Sequence, residues 1–108
     1  MEGESVQLNQ EEETLLVRHA YLASSRIRDG SPPSEDRIDK LKEMFPDLLS
    51  ILMKIQPEEA FEIFGRYKDH PIFRKDIEII LTPNGKEWMT RELKMIREHE
   101  VSEGSNHH

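Results

Sequence analysis

The sequence predicts an all-α fold: an irregular orthogonal bundle of about five to six short helices in a single domain. Three observations carry that expectation. Prolines at 32, 33, 46, 57, 71 and 83 divide the chain at intervals of about 11–14 residues, and each stands where a helix can start or where a turn precedes one. Between them, apolar residues recur at helical spacing. Only residues 72–81 also fit a strand, through Ile77, Ile79 and Leu81, and a lone strand has no partner to pair with.

Residues 1–8 carry no periodic pattern and are expected to be disordered. Asn9 can cap a helix, with Glu12 in the reciprocal position of a capping box and Glu11, Glu12 and Glu13 in the first turn. Leu16, Ala20, Ala23 and Ile27 form its stripe, Arg26 and Arg28 its basic last turn, and Gly30 its stop. The expected helix is 10–28. His19 falls at the edge of that stripe and reads as a boundary residue.

Ser34 can cap a second helix, 35–44, with Ile38, Leu41, Met44 and Phe45 on its apolar side. Pro46 would clash with the carbonyl of Lys42 in a continuous helix and disfavours helical angles at Phe45. A break with a new helix over 46–55 is therefore expected, a kinked continuous helix being the alternative. Residues 44–55 are the most apolar stretch of the chain, and this helix is expected to sit centrally, packed on most sides. Pro57 opens the next helix, with Ala60, Ile63, Phe64 and Tyr67 on one face, and Gly65 there is a candidate for close helix approach. Residues 72–81 are taken as helix. Thr82-Pro83 starts the last helix, which is expected to run to about residue 99 with Trp88, Met89, Leu93 and Ile96 inward. The domain thus spans 9–99, followed by a disordered tail over 100–108. His107 and His108, native or a cloning remnant, carry no weight in the functional reading.

With 34% charged residues and a net charge of −7, the chain reads as acidic and highly polar. The charge is uneven: −7 over residues 1–65, +3 over 66–97 and −3 over 98–108. No apolar run is long enough for a membrane span, and the acidic Met-Glu-Gly-Glu-Ser start lacks a secretory signal's apolar region. Zero cysteines rule out disulfides and thiolate chemistry, and they fit a cytoplasmic setting.

Catalytic signatures are missing. There is no Gly-rich phosphate loop, no Gly-x-Ser-x-Gly and no paired-carboxylate motif, so no catalytic residue and no cofactor are expected. His19, His70 and His99 stand in no metal-ligand spacing, and no metal site is expected. Asp69-His70 is adjacency in sequence only.

Three features bias the function. Arg66, Tyr67, Lys68, His70, Phe73, Arg74 and Lys75 put cations and aromatics together, a composition suited to phosphates and bases or to an acidic protein surface. In structural terms the same residues would be core aromatics and helix-end cations. Acidic helix starts at Glu11–Glu13, Glu35, Asp36, Asp39, Glu58, Glu59 and Glu62 could present a negative face to a basic partner, or simply be solvated first turns. Met44, Met53 and Trp88 are candidates for an apolar interface or self-association face, or else ordinary core.

Leu81-Thr82-Pro83-Asn84-Gly85-Lys86 is similar to the segment entering the last helix of winged-helix transcription regulators, where a wing strand ends in Leu-Thr-x-x-Gly-Arg/Lys. The likeness covers six residues. The family's paired wing strand and preceding helix-turn-helix are not readable upstream, and Thr-Pro as a helix start explains the same letters, so the chain is not assigned to that family. The expectation is a small acidic, non-enzymatic adaptor, inhibitor or assembly factor that binds another protein. The alternative is a nucleic-acid-binding regulator using Arg66 to Lys94, with Lys86 among its contacts.

Overall fold

A computed structural model describes residues 8–105, with side chains described through residue 100. Among the described residues there are six helices and no strand. They are α1 (Gln10–Asp29), α2 (Glu35–Met44), α3 (Pro46–Lys54), α4 (Pro57–Arg66), α5 (Arg74–Ile80) and α6 (Pro83–Ser105). The expected all-α fold is the one observed, with four short helices beside two longer ones, α1 of 20 residues and α6 of 23.

Local signals act where they stand in the chain. The Asn9 side chain accepts from the Glu12 amide at 2.8 Å, and the Asn9 amide donates to the Glu12 carboxylate at 3.0 Å. Gly30 ends α1 at φ 74°, the left-handed region glycine enters without steric penalty. Pro46 breaks the chain as its ring geometry requires. Phe45 sits at φ −135°, ψ 61°, closing α2 and opening α3 at once.

Thr82 caps α6 by accepting from the Gly85 amide at 3.0 Å. A Cβ at Gly85 would lie 2.1 Å from the Ile79 carbonyl oxygen. Only glycine lets the first turn of α6 sit this close to the end of α5. Gly65, the expected point of close approach, has nothing within 4 Å of such a Cβ. This tight corner accounts for the Leu81–Lys86 segment, which follows helix α5 and not a wing strand.

The core gathers side chains from all six helices. Two elements organise it. α1 packs on α3, α4, α5 and α6, most extensively on α5, and α6 touches all five others. The expectation that residues 44–55 form the centre needs correction. Leu48, Leu49, Ile51, Leu52 and Ile55 are all buried, but Asp47, Ser50, Met53 and Lys54 remain exposed. Asp47, Ser50 and Lys54 recur at i, i+3 and i+7, so the polar residues of this apolar run share one face, which keeps to water.

α6 continues past residue 99 to Ser105, since nothing before Gly104 disfavours helix. The disorder expected at the two ends falls, over residues 1–7 and 106–108, outside the described residues.

Candidate functional site

The central polar feature is a buried carboxylate. Glu92 lies on the inward face of α6 at i+4 from Trp88 and i−4 from Ile96, and it is 0% exposed. His19 on α1 is also 0% exposed and places Nε2 2.7 Å from Glu92 Oε1. Arg37 on α2 donates from Nε to Glu92 Oε2 at 2.7 Å. The guanidinium lies 5.4 Å from the centroid of the Trp88 ring, and Trp88 Nε1 donates to the Ser31 carbonyl at 2.7 Å. One network therefore ties α1, the α1–α2 connector, α2 and α6 together.

Burial pushes the Glu92 carboxyl up, but the charge of His19 and its hydrogen bond, with those of Arg37, outweigh it and hold the group below its ordinary value. His19 Nδ1 and Arg37 Nη2 are buried without a hydrogen-bond partner. Unmade hydrogen bonds of this kind cost about 1–3 kcal/mol each. A carboxylate closed in the core next to an imidazole could exchange protons only with a substrate that reaches it, and both side chains are sealed from solvent.

Sequence reasoning places His19 at a boundary and overlooks Glu92. The helical stripe Trp88, Glu92, Ile96 carried the signal, because a carboxylate at a core register must find cations.

A second polar link joins α1 to α4. Tyr67 Oη donates to Glu13 at 2.7 Å, and Arg66 donates to the other Glu13 oxygen at 2.8 Å. The Tyr67 hydrogen bond, aided by Arg66, lowers the Glu13 carboxyl, and Glu13 in turn raises the Tyr67 phenol. Ser24 Oγ donates to Asp76 at 2.6 Å between α1 and α5.

The residues singled out from the basic stretch are not brought together as one free cationic face. Arg66 is paired with Glu13. His70 Nδ1 accepts from the Ile72 and Phe73 amides and holds the turn before α5. Lys86 Nζ lies 5.7 Å from the Phe61 ring centroid. Lys68 and Arg74 share a shallow depression with Asp69 and Glu78, and Lys75 is exposed on α5.

Several acidic helix starts are engaged internally as well. Glu12 faces Lys54 at 3.6 Å, Glu59 accepts from the Gln56 amide at 3.1 Å, and Asp39 lies 3.0 Å from His99.

The apolar candidates divide. Trp88 is only 6% exposed and belongs to the core, because its ring closes over the polar network and its N–H is satisfied there. Met44 is 64% exposed and Met53 borderline. Tyr21 and Ile72 are further exposed apolar side chains, and Tyr21 packs against Phe73 with ring centroids 6.5 Å apart.

Met44 lies in a groove of about 420 Å³ between α1 and α2, where those two helices have no extended packing. Among the described residues, no group of three or more His, Asp or Glu is placed to hold a metal ion. No described helix is long and apolar enough to cross a membrane. No protein-family model, no curated protein and no solved structure matches this chain.

Proposed function

We propose that this protein works by binding another protein through its helical surface, as a small acidic adaptor, inhibitor or assembly factor, without catalysing a reaction. One observation carries the reading. The polar cluster whose chemistry could resemble a reaction centre, His19 with Glu92, is sealed in the core, while apolar side chains such as Met44 stand open at the surface. A buried carboxylate bonded through both oxygens ties together the helices that carry its partners, whereas exposed methionines adapt to a partner's contours. Self-association would use the same kind of surface.

The experiment is light scattering over a range of concentrations, combined with photo-crosslinking from surface positions in a lysate. A defined partner or a defined oligomer crosslinked through the apolar surface supports the reading. A strict monomer that captures nothing defeats it.

The nucleic-acid alternative is tested by titrating duplex and single-stranded DNA and RNA at low and moderate salt. Salt-dependent binding that is lost on Lys68→Glu, Arg74→Glu and Lys75→Glu replaces the proposal. Those positions are chosen because none of the three forms an ion pair among the described residues.

A further inference from the structure

We infer that the α1–α2 groove receives an acidic amphipathic helix of the partner, apolar side chains down and carboxylates at the rim. The inference rests on the protein-binding reading above. The floor is apolar: Leu22 from α1, Leu41 and Met44 from α2, and Phe45 at the α2–α3 corner. Of these, Met44 is largely open to solvent, and Leu22 and Phe45 are half-buried. A groove of about 420 Å³ cannot enclose a helix. It can take a few side chains from one helix face, the i, i+3, i+4 anchors of helix-in-groove recognition.

The rim selects the charge. Arg26 and Lys40 stand on opposite walls and form no ion pair among the described residues, with Asp36 as the one acidic residue lining the groove. Arg37 lines the same groove, but its charge is matched by Glu92, so it contributes a fixed shape and little net field. The rim is thus locally positive in a chain of net charge −7. At physiological ionic strength charges act over about 8 Å, so a docked helix senses most strongly the charges that line the groove. Nucleic acid fits less well, since the floor offers methyl and thioether groups where a phosphate backbone would lie.

The test uses the intact protein and a synthetic helical peptide of about 16 residues, with Leu and Phe on one face and Glu along its edges. A second peptide carries Lys in place of each Glu. Binding is followed by fluorescence anisotropy and by methyl NMR of Leu22, Leu41 and Met44.

The acidic peptide is expected to bind with shifts concentrated on those methyls, and the basic peptide about tenfold more weakly. Arg26→Glu with Lys40→Glu is expected to reverse the preference while leaving the melting temperature near that of the parent, and Met44→Ser to weaken both peptides. Equal binding of the two peptides, no binding, shifts confined to another face, or single-stranded RNA competing through Arg26 and Lys40 would overturn the inference. If the peptides fail while photo-crosslinking yields a partner on another face, the groove assignment falls and the protein-binding reading stands. If neither finds a partner, both fall.

Discussion

Replacing Glu92 with Gln tests the core network most directly, because the substitution keeps shape and removes only charge. In the native protein the carboxylate is fully buried, with His19 and Arg37 each 2.7 Å away. At an effective dielectric constant near 20, one such contact is worth about 6 kcal/mol of Coulomb attraction, and desolvating the carboxylate cancels much of it. Glu92→Gln leaves the Arg37 guanidinium facing a neutral amide in a site where its side chain is only 12% exposed. Breaking one partner out of a buried pair costs about 3–5 kcal/mol. The lower figure applies here, since Arg37 can swing toward the groove. A loss of about 3 kcal/mol corresponds to a fall in Tm of roughly 10–20 °C for a domain of this size.

Urea and thermal unfolding followed by circular dichroism measure the loss. The parent should also lose stability as pH falls. A carboxyl whose folded pKa is below its unfolded value contributes stability above the unfolded pKa, and that contribution fades as pH drops through the folded value. Glu92→Gln should flatten that acid limb, leaving the share from Glu13, which is lowered in the same sense. A variant within about 1 kcal/mol of the parent at neutral pH, with an unchanged acid limb, would refute the assignment of Glu92 as a paired core anion.

Gly85→Ala should destabilise by about 1–3 kcal/mol through overpacking, because its methyl would meet the Ile79 and Ile80 carbonyls. Gly65→Ala, with open space around it, should be neutral or gain up to about 1 kcal/mol, and chemical denaturation of the two variants side by side checks both. Tyr67→Phe should cost about 0.5–1.5 kcal/mol and move the Glu13 carboxyl up toward its ordinary value, read by carbon-detected NMR titration of that side chain. Phe64→Ala, removing a ring that is 0% exposed, should cost about 3–5 kcal/mol in the same unfolding assays.

Punctuation was the most legible part of the sequence. Asn9, Gly30, Pro46, Pro57 and Thr82-Pro83 act through their own backbone chemistry, so their effect is local and visible without knowing what they pack against. Helix over 72–81 was likewise recoverable: α5 occupies 74–80 and buries Ile77 and Ile80. Partner choice was not legible, because it depends on which helix faces meet. Arg66 reads as a free cation until Glu13, 53 residues earlier, is brought beside it. His19 and Glu92 are 73 positions apart, and neither looks unusual alone. The close approach at Gly85 depends on the angle between α5 and α6, which composition does not encode.

The network and the groove meet at one side chain. Arg37 has its Nε on the buried Glu92 and its guanidinium near Trp88, and it also lines the wall of the α1–α2 groove. Its rotamer is held from two sides before any partner arrives, so docking would not have to order that wall. The Ser31 carbonyl bound by Trp88 fixes the connector between the two helices that form the groove. A polar core is a weak source of net stability, and a closely packed apolar substitute could equal it. What the ionic version adds is a defined placement of α2 relative to α1, which have little packing of their own to set their separation. An apolar core variant carrying His19→Leu, Arg37→Met and Glu92→Leu is therefore expected to approach the parent's stability while losing the groove's defined width. In such a variant the methyl resonances of Leu22 and Met44 should broaden even where the unfolding midpoint is kept. Sharp, unshifted methyl signals in that variant would show that packing alone sets the groove.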